Sequence, residues 1–198
     1  MKKTYRPEKM ITQSRFKDYY NQLDEKERLR LTTVMAQLIK ENSEYADSKN
    51  YGHLCNLITS LAIIIMLEEN GKTRKEAENI AAEAMYKFIE PQIAVMKKLA
   101  GSSGFVGLLK IFMPIKFRNT LGYGWDVEFP KCPKDTFSMI THSCIYHQIF
   151  SKYGMPEMTA VFCKVDDILY SKLPRAQFLY TEQIGRGGNM CDYTFKKR

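Results

Sequence analysis

The sequence predicts an α+β fold, in which a helical N-terminal half is packed with a small antiparallel sheet and two helices in the C-terminal half. Apolar residues recur at helical spacing through the first half. Strand-like sequence begins after Gly122-Tyr123-Gly124, and short apolar runs separated by Gly and Pro turns follow. With 198 residues, 44% of them hydrophobic and 26% charged, the chain is long and apolar enough to bury its own core.

Three helices are predicted in the first half. The second runs from Lys49 to Glu69 and closes at Asn70-Gly71, a typical C-terminal cap. The third begins with a capping box formed by Thr73 and Glu76, and Pro91 ends or kinks it. The first helix has its apolar residues on one face, at Leu31, Val34, Met35, Leu38 and Ile39.

A flexible joint, Gly101-Ser102-Ser103-Gly104, separates these helices from the second half. A short apolar helix is expected to run from there to Met113, where Pro114 breaks it. The run Trp125 to Phe129 is expected to pair with Thr136 to Thr141 as two strands.

The last 56 or so residues are predicted to hold two helices and a hairpin. The helices are Ser143 to Tyr153 and Pro156 to Leu173, with Pro156 in a first turn, where proline is well tolerated. The hairpin pairs Phe178 to Ile184 with Met190 to Phe195 around a glycine-rich loop. The predicted organisation is an N-terminal helical extension, 1–45, followed by a single α+β domain, 46–198.

The formal net charge of +8 favours anionic partners, and a small anionic substrate is the partner we expect. The basic residues are dispersed and match no nucleic-acid-binding motif, so no nucleic acid is expected. The longest apolar stretch, Leu57 to Leu67, is too short to span a bilayer, so no membrane partner is expected. Five unevenly spaced cysteines and no apolar leader predict free thiols in the cytoplasm, and a homo-oligomer remains open.

The second predicted C-terminal helix carries a candidate catalytic column. Its members are Thr159, Cys163, Asp166 and Tyr170, at spacings of four, three and four. A thiol, a carboxylate and a phenol on one side of a helix offer a nucleophile and a base to one substrate. The alternative is that Cys163 fills the core and Asp166 is solvated or bonded to a neighbour.

The region before this column holds further candidates. Cys144 precedes His147 by three residues, a spacing at which a histidine lowers a thiol pKa, although a surface edge is the simpler interpretation. His142 faces the same cavity or caps the helix start. Zinc bound by His142, Cys144, Cys163 and Cys191 is the alternative cofactor hypothesis, but the cysteines lack the usual short spacing, so no cofactor is expected.

The loop Gly185-Arg186-Gly187-Gly188 has two interpretations. It is a plain hairpin turn, or its backbone N–H groups and Arg186 bind an anion. On the following strand Cys191, Tyr193 and Phe195 share one face, which we expect to point inward. In the first half, His53 lies in a polar column of an apolar helix with Asn56 and Ser60, either bonded to neighbours or lining a pocket.

Taken together, these features resemble the L-2-amino-thiazoline-4-carboxylic acid hydrolase family over roughly residues 45 to 198. The similarity in the C-terminal part is the more specific. Its motifs are the helix opening at Cys144, Gly154-Met155-Pro156-Glu157-Met158, Phe162-Cys163 with Asp166, Gly187 to Tyr193 with Cys191, and, in the helical part, the stretch containing His53, Leu67 to Thr73 and Glu76-Ala77.

The resemblance implies a hydrolase that opens a cyclic amidine at C2 and forms N-carbamoyl-L-cysteine. A thiolate such as Cys163 attacks C2, or Asp166 activates a water, while Arg186 and its loop hold the substrate carboxylate. The resemblance places Cys144 and Cys191 at or beside the substrate and leaves open which cysteine is the nucleophile. The catalytic candidates are therefore Cys163, Asp166 and Cys191. The substrate-binding candidates are Cys144, His53, Tyr170, Arg186 and His142. The alternative function is a non-catalytic protein of the same fold that binds or senses a small carboxylate.

Overall fold

The computed structural model describes residues 5–198 and has the predicted α+β fold. The chain forms two compact units, one up to Phe88 and one from Ile89 to Arg198. The predicted boundary after residue 45 lies within the first unit, where it remains a prediction.

The first unit is helical. Helix α3 presents the predicted apolar face, with Leu31, Val34, Met35 and Leu38 buried, and packs along α4. Helix α1 also packs against α4. The helices are α1 (Pro7–Thr12), α2 (Lys17–Gln22), α3 (Glu25–Glu41), α4 (Tyr51–Glu69) and the first part of α5 (Arg74–Ala100), with a 3₁₀ turn at Ser43–Tyr45.

Helix α4 is the central element of this unit. Thirteen of its nineteen residues are buried, although by length and composition alone it could cross a membrane. It ends as predicted: Gly71 has φ +86°, and the N–H groups of Gly71 and Lys72 donate to the carbonyls of Glu68 and Leu67. The capping box at the start of α5 is also confirmed, since Thr73 N–H donates to Glu76 Oε2 at 2.8 Å.

At Pro91 the alternative of a helix end is excluded, and the predicted break at Pro114 is wrong. Helix α5 continues through Pro91 to Ala100, and α6 continues through Pro114 to Thr120. A proline removes one backbone hydrogen bond from a helix without terminating it when the flanking turns remain helical. The apolar and helix-favouring residues after each proline outweigh that loss.

The second unit contains a four-stranded antiparallel sheet in the order β1-β2-β4-β3. The predicted pairing of the first two strands is confirmed, and β4 lies centrally between β2 and β3. The elements after α5 are α6 (Phe105–Thr120), β1 (Asp126–Glu128), β2 (Thr136–Ser143), α7 (Ile145–Lys152), α8 (Met158–Tyr170), β3 (Ala176–Leu179), a 3₁₀ turn (Ile184–Arg186) and β4 (Cys191–Lys197).

One face of the sheet is buried, and two separate apolar clusters cover its two ends. At one end Phe137 and Phe195 pair across the strands and pack against the start of α6. At the other end Thr141 pairs with Cys191, beside Tyr193. The predicted inward face of β4 is therefore confirmed, since Cys191, Tyr193 and Phe195 are all buried.

The predicted hairpin around the glycine loop forms, but with a longer connection. Strand β3 ends at Leu179 rather than at Ile184, and residues 180–190 form a turn-rich segment. The reason is local hydrogen bonding: the Asp192 carboxylate accepts the N–H groups of Thr181 (2.8 Å) and Glu182 (3.0 Å). These donors are thereby diverted from the strand ladder.

Candidate functional site

Two of the predicted catalytic residues, Cys163 and Cys191, meet in the second unit. Cys191 opens the central strand β4, and Cys163 lies on α8. The Cys163 thiol is hydrogen-bonded to the Cys191 sulfur. Both side chains are buried, so the contact between the two sulfurs is largely shielded from bulk water.

The surroundings of Cys191 favour its thiolate. The hydrogen bond from Cys163 is the largest influence and lowers the pKa of Cys191 to about 7, against the opposing effect of burial. The backbone N–H of Ile184 donates to Cys191 Sγ at 3.3 Å and lowers the pKa of Cys191 further, as does Tyr193. These donors therefore favour a thiolate on Cys191 over a thiolate on Cys163.

Cys163 is the protonated partner of the pair. Its hydrogen bond to Cys191 and its burial both raise the pKa of the Cys163 thiol far above the ordinary value. The negative charges of Cys191 and Asp166 act in the same direction. Cys163 therefore stays a neutral donor as long as Cys191 is ionised.

A carboxylate and a phenol lie beside the sulfur pair. The Tyr193 hydroxyl is hydrogen-bonded to Asp166, and burial, followed by the charge of Asp166, raises the pKa of Tyr193. Gln183 Nε2 donates to Tyr193 Oη at 3.0 Å. This chain of three polar side chains fixes the position of the Asp166 carboxylate relative to the two sulfurs.

Cys144 forms the next neighbour of the cluster. It packs against the small apolar group made by Ile184, Cys191 and Tyr193, at the N-cap of α7. Burial raises the pKa of the Cys144 thiol to about 12, although the backbone N–H groups of His147 and Tyr146 act to lower it. Cys144 is therefore a neutral thiol near the reactive pair, not a second nucleophile.

The 3₁₀ turn Ile184–Arg186 holds this arrangement against α8. A Cβ added to Gly185 would lie 2.8 Å from backbone atoms of Thr159 and Ala160, and 2.9 Å from Cys163 Sγ. Only glycine allows this approach, which places the Ile184 N–H beside Cys191. Thr159 Oγ1 and Gln183 Oε1 are buried here and have no hydrogen-bond partner among residues 5–198.

Arg186 lies outside the cluster and anchors the turn. Its guanidinium donates to Asp167 of α8 and, at 2.6 Å, to Tyr180 Oη. The loop N–H groups also have acceptors of their own: Arg186 and Gly188 donate to Gln183 O, and Gly187 donates to Ile184 O. In this structure the loop therefore forms a closed turn whose donors are engaged within it.

Two other candidate residues of the second unit lie away from the sulfur pair. His142 is exposed on β2 and pairs with Glu128 across 3.4 Å. Tyr170 packs its ring against Phe178 and Phe195 in the core at the other end of the sheet.

The remaining candidate, His53, belongs to α4 in the first unit. In the same column Asn56 Oδ1 accepts the Arg15 N–H at 2.8 Å, and Ser60 Oγ donates to Leu57 O. These two polar groups are thus bonded within their own unit, as one of the two interpretations expected.

Among residues 5–198, no three or more His, Cys, Asp or Glu side chains are grouped so as to hold one metal ion. The residues of the zinc hypothesis do not form one group, because His142 contacts Glu128 while the Cys163 thiol is hydrogen-bonded to Cys191.

A known protein family matches the part of the chain that contains these residues. The model of the L-2-amino-thiazoline-4-carboxylic acid hydrolase family matches residues 55–195, which is more than two thirds of the chain. The chain belongs to this family. The family match includes every member of the cluster, whereas His53 lies two residues before its start.

Other comparisons add little to the hydrolase family match. No curated protein matches the chain. A mutant form of the Fe(II) unliganded H-NOX protein from K. algicida covers 96% of this chain and 95% of its own, with 9% identity and a TM-score of 0.39. The same protein without the mutation covers 93% and 95%, with 12% identity and a TM-score of 0.28. Similarity at this level carries no argument about fold or function.

Some site residues of this hydrolase-family chain were not candidates from the sequence. Tyr193 was placed on the inward face of β4, but no pattern connected it to Asp166. Gln183 and the Ile184 N–H carry no sequence signal, because their role depends on a turn that only the folded chain forms. Gly185 is the one visible hint, since glycine is the residue that allows a close approach of the backbone to a neighbouring segment.

Proposed function

We propose that the chain hydrolyses a cyclic amidine carboxylate of the L-2-amino-thiazoline-4-carboxylate type, with Cys191 as the nucleophile. One observation carries the proposal. Cys191, inside the family-matched segment, accepts hydrogen bonds from Cys163 and from the Ile184 N–H, and its pKa falls to about 7. A thiolate available at neutral pH is what attack on an amidine carbon requires.

In the first step, the Cys191 thiolate forms a bond to C2 of the ring, and the C2–S bond of the ring breaks. The product is an isothiourea linked to Cys191, with the substrate sulfur released as a thiolate. Once Cys191 is bonded to carbon, its negative charge no longer raises the pKa of Cys163. Cys163 can then give its proton to the departing sulfur.

In the second step, water adds to the isothiourea carbon, and the Cys191–carbon bond breaks. Asp166 takes a proton from the water and passes it to the leaving Cys191 sulfur, from which it returns to Cys163 and restores the resting pair. Tyr193 keeps the carboxylate in place for this transfer. The sum of the two steps adds one water to the ring and yields an N-carbamoyl amino acid with a free thiol.

Two buried polar atoms near the sulfurs provide contacts for such a substrate. Thr159 Oγ1 and Gln183 Oε1 have no hydrogen-bond partner in the part of the chain that the structure describes. The amide oxygen accepts from an amidine N–H, and the hydroxyl donates to a carboxylate. The net charge of +8 favours an anionic substrate over a neutral one.

The test is turnover of L-2-amino-thiazoline-4-carboxylate, followed by release of a new thiol and by mass spectrometry of the product. We expect Cys191→Ala to abolish turnover and Cys163→Ala to reduce it. Cys132→Ala is the matched control, because the Cys132 thiol contacts Pro130 O outside the cluster and its removal should leave the rate unchanged. Full activity in Cys191→Ala would show that the nucleophile is another group.

A second candidate function is binding of the same carboxylate without turnover. The burial of both sulfurs favours it, since Cys191 is only 6% exposed and Cys163 only 9%. Calorimetric binding of the substrate to wild-type protein, with no thiol released over hours, would support this function and reject the hydrolase.

A further inference from the structure

Helix α6 presents an apolar stripe to solvent. Leu108, Ile111, Phe112 and Ile115 are each about half exposed, at 48%, 59%, 59% and 54%. Their spacing of i, i+3, i+4 and i+7 places them on one side of the helix. The opposite side, with Leu109 and Met113, packs against the core of the second unit. Four large apolar side chains in one exposed row are more than scattered surface hydrophobics.

The stripe lies in a stretch of one charge sign. Between Glu90 and Asp126 the sequence has five basic residues and no acidic one. Of these, Lys116 follows Phe112 by one turn and Arg118 follows Ile115 by three residues, so the two cations border the stripe on opposite sides. Both are exposed. The other three basic residues are Lys97, Lys98 and Lys110.

The last turns of α5 also carry exposed apolar side chains next to lysines. Val95 and Leu99, one turn apart, are 60% and 56% exposed, and Lys97 and Lys98 lie between them. The chain then bends by 118° into α6, so α5 and α6 do not form one straight apolar helix.

We propose that α6 docks on the surface of an anionic phospholipid bilayer, lying flat with its apolar stripe in the headgroup region. An apolar face bordered by cations is the typical composition of an in-plane membrane helix. The sixteen residues of α6 extend only about 24 Å, which is less than the roughly 30 Å of a hydrocarbon core. The helix therefore lies in the surface and does not cross it.

The charges beside the apolar stripe favour an anionic lipid surface over a second copy of the chain as its partner. Pairing two copies through the stripe would bring Lys116 and Arg118 of one copy against the same cations of the other, with no acidic residue of the stretch to offset them. An anionic lipid surface instead attracts each of these cations. Such docking needs no 20-residue apolar run, so it agrees with the shortness of the Leu57 to Leu67 stretch, but it replaces the expectation that the chain has no membrane partner.

The experiment is co-sedimentation of the full chain with phosphatidylcholine vesicles, with and without phosphatidylserine, at about 0.05 M and about 0.5 M salt. We expect at least about tenfold tighter binding to the anionic vesicles, weakened at the higher salt. The double variants I111S/F112S and K116E/R118E should each lose about tenfold or more of that binding. Circular dichroism confirms that they fold, since all four side chains are exposed.

Matched controls carry the same chemical changes elsewhere. Leu29→Ser removes an apolar side chain that is 69% exposed on α3, and K26E/K172E reverses two exposed lysines outside the stretch. Both controls should bind like the wild type. Failure of the wild type to bind anionic vesicles at low salt overturns the proposal, as does equal binding to neutral vesicles.

A concentration-dependent dimer in sedimentation velocity, lost in I111S/F112S and accompanied by no vesicle binding, also overturns the proposal and assigns the face to a second copy. Turnover of the thiazoline substrate in vesicle-free buffer is a separate measurement, so either proposal can fail without the other.

Discussion

At the scale of single residues, the site depends on how two sulfurs share one proton. The Ile184 N–H reaches Cys191 at 3.3 Å and is fixed by the backbone, so it favours charge on that sulfur. Cys163 has Asp166 one turn away on its own helix, and a carboxylate at that position opposes a second negative charge. The two environments therefore separate the roles of two chemically identical side chains.

The first prediction concerns the pH dependence of thiol alkylation. Because the pKa of Cys191 is lowered to about 7 in the folded protein, its thiolate is present from neutral pH upward and is lost as the pH falls below that value. The rate of alkylation of Cys191 by iodoacetamide should rise with pH and approach its plateau with a midpoint near 7. Peptide mass spectrometry at a series of pH values measures it.

Two controls accompany this titration. In Cys163→Ala the midpoint should move upward, because the hydrogen bond that most lowers the pKa of Cys191 is gone. Cys144, whose pKa is raised to about 12, should stay unmodified at pH values where Cys191 reacts fully. A midpoint for Cys191 near that of an ordinary thiol, about 8.5, would contradict the arrangement.

The second prediction concerns the role of Asp166. Asp166→Asn keeps an acceptor for Tyr193 but removes the base, so the water step should slow by about 10²–10⁴-fold while the first step persists. Intact-protein mass spectrometry should then show substrate accumulated on Cys191. The neighbouring Asp167→Asn is the control, because Asp167 binds Arg186 rather than the cluster. Equal rates in both variants would remove Asp166 from the mechanism.

At the scale of elements, the site is made where the 3₁₀ turn meets α8. Gly185 has backbone atoms of α8 so close that any side chain must displace them. Arg186 secures the same contact from its other side through Asp167 and Tyr180. The turn thus acts as a support that sets the distance between the Ile184 N–H and Cys191.

The third prediction is that Gly185→Ala destabilises the protein and impairs the site together. The new Cβ would overlap backbone atoms at 2.8 Å and Cys163 Sγ at 2.9 Å. Overpacking of this kind costs about 1–3 kcal/mol of unfolding free energy. Urea denaturation measures that loss. In the same variant the pKa of Cys191, read from alkylation, should rise because the Ile184 N–H is displaced.

Gly107→Ala provides the matched control for this variant. A Cβ at Gly107, inside α6, would meet nothing within 4 Å, so alanine should stabilise the helix by about 0.5–1 kcal/mol and leave Cys191 unchanged. Equal stability of the two variants would show that the turn does not pack on α8 as described.

Local elements were largely predictable from sequence, because their signals are local. The Thr73–Glu76 capping box and the Gly71 cap are both read from neighbouring residues, and both formed. The break predicted at Pro114 did not form and the helix does not end at Pro91, because a proline is a local signal whose cost the rest of the helix can offset. Of the column on α8, Cys163 and Asp166 lie in the sulfur cluster and Tyr170 lies in the core at the other end of the sheet, while the catalytic roles stay predictions.

The meeting of Cys163 and Cys191 could be hypothesised from the family resemblance, but the spacing of the two residues does not predict it. It requires that β4 pairs between β2 and β3 and that the 3₁₀ turn Ile184–Arg186 packs against α8. Both contacts join segments that are far apart in the sequence. The same tertiary contacts bring Tyr193 and Gln183 to the site. Such partners are set by tertiary packing, for which single-sequence patterns contain no direct signal.

At the scale of the whole molecule, each unit has one element on which the others are assembled. In the first unit this is α4, whose residues Leu57, Leu61 and Ile64 have no solvent exposure. In the second unit it is β4, the last strand of the chain, which pairs on both sides. Cys191, the proposed nucleophile, opens this strand and pairs with Thr141 of β2, which restrains its position.

The final prediction follows from the central positions of α4 and β4 in their units. Amides in α4 and in β4 should exchange with solvent deuterium most slowly, because opening them requires loss of the core of their unit. Strands β1 and β3, of three and four residues at the sheet edges, should exchange faster than β4. Hydrogen–deuterium exchange with mass spectrometry compares these peptides directly. If β4 peptides exchanged as fast as those of β1, the proposed nucleophile would lie on a mobile strand, and a stable Ile184–Cys191 hydrogen bond could not account for a lowered pKa at Cys191.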